Sequence, residues 1–180
     1  MWYFPALLDL KVKEFVLENR NPYADAYFKT VNYGGDGLIV GTAWALVWGY
    51  GKISNNSGIV EWGRDGFLGF LMAGSSTYIL KVLIGRERPY VSGNPTIFKP
   101  LNLDDKYQSL PSGHTAVAFS VVGVVWRKSK SPYLRISSLV YGLSVAGARV
   151  YLDKHWLSDV IFGAGVGFLA GYYLSSRTRI

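Results

Sequence analysis

His114 and His155 are the only two histidines of the chain, and the residues beside each are of the types that handle an anion. His155 precedes Asp159 by four residues. At that spacing a carboxylate on the same helix face can accept from one imidazole nitrogen and leave the other as nucleophile or base. His114 follows Pro111-Ser112-Gly113 and opens an apolar run, so it stands at a predicted helix N-terminus. Free backbone N–H groups and the positive end of the helix dipole favour phosphate there. Gly113 lets a ligand approach the backbone closely, and Ser112 is a helix cap or a phosphate donor. His114 can then act as acid and base. Lys81, Arg88 and Arg149 fall at the ends of other apolar runs, and an Arg guanidinium suits two-pronged contact with an oxyanion. Lys81 and Arg88 are seven apart, which predicts one shared helix face, with Pro89 stopping that helix.

Each feature also has a plainer reading. A cation at a helix end anchors to the membrane interface, a His/Asp pair supports a helix, and Pro-Ser-Gly starts one. Arg86, Arg127 and Lys128 are read only in that way, as anchors or solvated charge. The conjunction separates the other residues from them: both histidines and three cations fall at four helix ends on one side of the membrane, and uncompensated charge near a bilayer is costly and usually functional.

The elements that position these residues follow from hydropathy. Five charge-free apolar stretches cover 37–51, 66–80, 115–126, 136–148 and 160–175. Each falls short of the ~20 residues of a full span, but polar ends and Tyr, Trp, Lys or Arg anchors can supply the missing turns. Charged residues are only 17% of the chain and Gly numbers 21, a balance of membrane helices rather than of a soluble domain. The predicted fold is all-α: an integral-membrane bundle of about five transmembrane helices. An amphipathic helix over 5–18, lying at the interface, precedes it. Residues 1–36 form the interfacial segment and 37–180 the transmembrane domain. Residues 1–20 lack the pattern of a cleaved signal peptide. The net charge of +7 suits an anionic lipid surface, and the basic residues form no stripe that would track nucleic acid. With no Cys, disulfides and thiolate metal sites are excluded.

Alternating the spans across the membrane places Lys81, Arg88, His114, Arg149, His155 and Asp159 on one side. The other side collects Lys52, Arg64, Arg127, Lys128, Lys130, Arg135, Arg177 and Arg179, so the positive-inside rule puts the candidate site outside the cytoplasm.

Lys81-x6-Arg88-Pro89, Pro111-Ser112-Gly113-His114 and Arg149-x5-His155-x3-Asp159 together resemble the tripartite signature of the type 2 phosphatidic acid phosphatase superfamily, over residues 66–175. One position departs from the pattern: Ala148 stands where the family usually carries Ser. The resemblance implies a metal-independent lipid phosphatase that needs no cofactor. In it His155 forms a phosphohistidine, Asp159 fixes and supports its ring, and His114 protonates the leaving oxygen and then activates water. Lys81, Arg88, Arg149, Ser112 and Gly113 hold the phosphate. It further implies a bacterial inner-membrane enzyme facing the periplasm, acting on a phosphorylated membrane lipid. Lipid A 1-phosphate ranks first, then phosphatidylglycerol phosphate and undecaprenyl pyrophosphate. Two other readings compete. A non-catalytic protein that binds or moves anionic lipid would not require two positioned imidazoles. A vanadate-dependent haloperoxidase would be soluble.

Overall fold

Helices start where the sequence offers a cap. Asn21 accepts from Ala24 N at 2.9 Å and opens α2 (Pro22–Asn32). Asp36 accepts from Leu38 N and Ile39 N and opens α3 (Gly37–Ile53). Asn56 accepts from Ile59 N and opens α4 (Ser57–Ile84). Ser131, followed by Pro132 at the first helical position, opens α7 (Pro132–Tyr151). Each cap satisfies a backbone donor that the helix itself leaves unpaired. The computed structural model describes residues 3–175. Within them the chain also forms α1 (Tyr3–Glu18), a single turn α5 (Pro89–Ser92), α6 (Gly113–Lys128) and α8 (Leu157–Leu174).

The five apolar stretches become the five helices α3, α4, α6, α7 and α8. Two of these, α4 and α8, are long and apolar enough to cross a membrane by those criteria alone, with mean hydropathy 1.6 and 1.4. α4 begins at Ser57, well before the expected start at 66, so Glu61, Arg64 and Asp65 are helical rather than in a loop. Asp65 and Lys128 are both buried and pair at 2.8 Å, so Lys128 is not the solvated charge expected. The partner lies on another helix, which the local sequence does not reveal.

Helix α6 is the centre. It packs against α8, α4 and α7, while α3 lies on α4, α2 on α7, and α1 across α7 and α8. The buried positions are largely small: Ala73, Thr77, Ala116, Ala118, Ser120, Ala148. The large apolar side chains point outward instead, among them Leu38, Leu46, Ile79, Val140, Ile161 and Leu169. A water-soluble fold reverses that arrangement. Small residues inside and Leu/Ile outside belong to a helical bundle solvated by lipid. α1 obeys the same rule: Leu7 and Phe15 are exposed, while Asp9 is 1% exposed and turned inward. Asp9 therefore packs on protein, while Lys11, Glu14 and Glu18 on the same helix stay exposed.

The α6–α8 contact is backbone on backbone. Gly163, Gly167 and Gly171, one helical turn apart, lie against the Ser112, Ala116 and Ser120 carbonyls, and a Cβ at Gly167 would sit 2.0 Å from Ala116 O. A Gly167→Ala substitution must therefore push α8 away from α6. The expected loss is about 1–3 kcal/mol, measured as a lowered Tm in detergent; an unchanged Tm contradicts the close packing.

Candidate active site

Lys81 lies in the last turn of α4, as its sequence context predicts, but Arg88 does not. α4 stops at Ile84, and Gly85 turns the chain at φ 63°, with its N–H on Lys81 O. Any side chain at Gly85 would collide with Lys99 O, 1.8 Å from the Cβ position, so this turn requires Gly. Residues 86–88 then run extended, as the residue before Pro89 must, and are bound to the loop between α5 and α6. Glu87 N donates to Ile97 O, Arg88 N to Lys106 O, and Ser109 N to Arg86 O. Lys81 and Arg88 consequently do not share a helix face, contrary to their spacing. Lys81 approaches the start of α6 from α4: its Cε lies 3.7 Å from the position of a Gly113 Cβ. Its ammonium donates to the carbonyls of Gln108 and Ser109.

His155 sits in the turn between α7 and α8, just before the helix, and its N–H donates to Arg149 O at 3.1 Å. The ring is buried. Nε2 lies 3.4 Å from Arg88 NH1. Nδ1 has no hydrogen-bond partner and lies 3.6 Å from Asp159 Oδ2. The expected His155–Asp159 hydrogen bond is therefore not formed. The Asp159 carboxylate takes Trp156 N at 2.9 Å, the Ser109 hydroxyl, and Arg86 NH1 at 2.6 Å. Burial holds the His155 imidazole well below its ordinary pKa, and the Lys81, Arg149 and Arg88 cations and His114 act in the same direction. The ring is thus kept neutral, the state in which it can attack or accept. All four groups that shift it are ones the sequence singles out.

The other cations are held by neutral or replaceable partners. Arg88 donates from Nε to Asp105 O and from NH2 to Asp105 Oδ1 at 2.7 Å, although the Asp105 side chain is 73% exposed. Arg149 NH1 donates to Asn32 Oδ1 at 2.7 Å, while its Nε is buried without an acceptor. A buried guanidinium N–H rarely lacks a partner, and an anion oxygen is the natural acceptor. Ser112 is the N-cap residue of α6, but its hydroxyl does not cap. It accepts from the Thr115 hydroxyl at 3.0 Å, and Ser112 N donates to Asp159 O. Gly113 and His114 keep partial exposure at this end of α6, whereas Ser112 and Ala148 have none. Among the described residues no three His, Asp or Glu side chains are placed to hold a metal ion.

Sequence reasoning missed Arg86, Ser109, Asn32 and Asp9. Arg86 is fully buried rather than an anchor. The one available signal was Asp9, an acid on the stripe shared by the inward-facing Ala6.

The family described as the PAP2 superfamily matches residues 65–179. The chain is similar to the lipid A 1-phosphatase of Porphyromonas gingivalis, 30% identical over an alignment of 123 residues, with 64% of this chain and 25% of that protein covered. It thus spans about a quarter of the length of that curated relative. Its fold is similar to the crystal structure of Aquifex aeolicus LpxE, with TM-score 0.73, 21% identity, and coverage of 92% of this chain and 93% of that one. The first transmembrane PAP2 type phosphatidylglycerolphosphate phosphatase from Bacillus subtilis gives TM-score 0.73 at 22% identity, over 92% and 82% of the two chains.

The depressed His155 pKa has a measurable sign. Its folded value lies below the unfolded value of about 6.5, so the ring stays neutral as pH falls through that point while the unfolded chain takes up a proton. The stability linked to it is therefore full above about pH 6.5 and declines below it. In labelled protein, the His155 ring resonances are expected to stay constant from neutral pH to well below 6.5. A midpoint near 6.5 would refute the burial argument.

Proposed function

The chain belongs to the PAP2 superfamily, and on that premise we propose that it is a metal-independent lipid phosphatase working through a phosphohistidine at His155. The observation that carries the reading is the neutral, buried His155 ring, its Nε2 3.4 Å from the Arg88 guanidinium and its Nδ1 turned toward Asp159. Nε2 is the nucleophile. It attacks phosphorus in line; the P–N bond forms as the bond to the lipid oxygen breaks, and His114 protonates that oxygen. Asp159 supports the positive ring of the phosphohistidine. His114 then takes a proton from water, the resulting hydroxide attacks phosphorus, and the P–N bond breaks to release phosphate and His155. Lys81, Arg88, Arg149, Ser112 and the Gly113 backbone stabilise the equatorial oxygens, which is where most of the acceleration arises in such transfers. The unpaired Arg149 Nε supports this assignment. The Asp105 carboxylate on Arg88 stands where a phosphate oxygen would bind, and as a partner on an exposed side chain it is readily displaced.

The substrate is a phosphorylated membrane lipid, with lipid A 1-phosphate the leading candidate, supported by the similarity to a lipid A 1-phosphatase. Phosphatidylglycerol phosphate and undecaprenyl pyrophosphate carry the same phosphate chemistry. The enzyme is multi-pass in a bacterial inner membrane, residues 37–180 forming the spanning domain and 1–36 the interfacial segment, with 1–2 and 176–180 outside the described residues. Its site opens to the periplasm, as the excess of Lys and Arg at the opposite end supports.

Phosphate release is to be measured on these three lipids, in detergent with excess EDTA. At least one should be hydrolysed, with His155→Ala reducing the rate by roughly 1000-fold or more. Dependence on added metal, or an active His155→Ala, rejects the phosphohistidine reading. Full biological function without either imidazole would favour a lipid-binding protein. His114→Ala should turn over at least roughly 100-fold more slowly, because both the acid of the first step and the base of the second are lost; a variant turning over at the wild-type rate removes His114 from the mechanism.

A further inference from the structure

We propose that Asp9, on the N-terminal helix α1, is a positioning residue for the reaction: through the buried Arg86 it preserves the negative charge that Asp159 presents to His155. The inference rests on the reading of His155 and Asp159 as the reacting pair. Its starting point is an unusual burial. Asp9, Arg86 and Asp159 are 1%, 0% and 0% exposed, and they come from α1, the segment after α4, and α8. Arg86 NH2 donates to Asp9 Oδ2 at 2.7 Å and NH1 to Asp159 Oδ1 at 2.6 Å. Ser158 closes the group. Its hydroxyl accepts from Arg86 NH1 and donates to Asp9 Oδ2, and its N–H donates to Asp9 Oδ1 at 2.8 Å. Asp9 therefore also caps the first turn of α8 from another helix, where Trp156 at the N-cap position offers no oxygen.

Charge decides what this arrangement does. Asp159 is needed as an anion next to a ring that becomes positive when His155 bonds to phosphorus. A lone guanidinium at 2.6 Å from Asp159 would cancel most of that charge in a medium that screens poorly. A second carboxylate on the far amino group of Arg86 restores it: Asp9, Arg86 and Asp159 together carry one net negative charge. Arg86 is then a fixed hydrogen-bond donor that aims Asp159, not a counterion that neutralises it. α1 is further fastened beside the site by Lys13, which donates to Pro89 O at 2.6 Å and pairs with Asp153 at 3.1 Å. The N-terminal helix, predicted as a separate interfacial piece, is on this view part of the catalytic electrostatics.

The test compares wild type, Asp9→Asn, Asp9→Glu, the double variant Asp9→Asn/Arg86→Gln, and His155→Ala as blank, in detergent. Asp9→Asn keeps the shape and removes one charge. Its kcat is expected to fall roughly tenfold, the equivalent of about one pK unit at the ring, with KM within about twofold of wild type. Asp9→Glu should recover most of that loss. The double variant removes both charges of the pair and should be faster than Asp9→Asn, a reversal that a purely structural role would not produce. A folded Asp9→Asn with wild-type kcat, or a double variant slower than Asp9→Asn, overturns the proposal. If Asp9→Asn does not fold, the double variant, which keeps the single net negative charge of the wild-type group, decides: kcat within about tenfold of wild type supports the proposal, and a rate equal to the blank overturns it. Wild type without activity on any lipid would instead reject the phosphatase reading itself.

Discussion

Arg86 has no exposed surface in a protein whose outer surface is made for lipid. A guanidinium cannot shed its proton to escape burial, so the fold around it must supply acceptors. It does so from three directions: Asp9 from α1, Asp159 from α8, and Pro95 O from the loop above. That requirement ties the N-terminal helix, the last helix and the loop between α5 and α6 to one atom group. With no carboxylate against it Arg86 would be a stranded buried charge, which costs several kcal/mol. The site is therefore assembled around a residue that need not touch the substrate.

The bundle beneath follows a different rule. Lipid gives no hydrophobic incentive for helices to associate, so they associate where backbones can touch. The glycines at 163, 167 and 171 let α8 lie against the carbonyls of α6. This contact fixes Asp159 against the start of α6: Ser112 N donates to Asp159 O at 3.0 Å. Close packing and site geometry are thus one feature, because the α6 turn that carries Gly113 and His114 is bonded directly to the α8 turn that carries Asp159.

The cations of the site are held by acceptors of moderate strength: the Gln108 and Ser109 carbonyls on Lys81, Asn32 on Arg149, and the exposed Asp105 on Arg88. An anion with two charges can compete with each of them. The three cations repel one another, and an anion shared among them would offset that repulsion.

Much of this was legible in the chain. The five helices α3, α4, α6, α7 and α8, their small-residue content, the six motif residues on one side, and a family resemblance carried by Lys81, Arg88, His114, Arg149, His155 and Asp159 all follow from hydropathy, spacing and residue type. The reason is that these depend on local periodicity and on chemistry intrinsic to each side chain. What the chain order did not reveal depends on approach between distant segments. Lys81 and Arg88 are two helical turns apart in sequence, yet Gly85 breaks the helix between them, because its left-handed turn is stabilised by contact with Lys99. Arg86 and Lys128 carry the same charge as any interface anchor; only their partners Asp9, Asp159 and Asp65, each on another helix, make them interior residues. Asp159 at the i,i+4 position should bond His155, but His155 precedes the helix and the carboxylate is already engaged by Arg86, Ser109 and the Trp156 N–H. The sequence by itself determined which groups are candidates for the chemistry. The tertiary structure decided which charges hold them in place, since a charge is buried or solvated according to what folds against it.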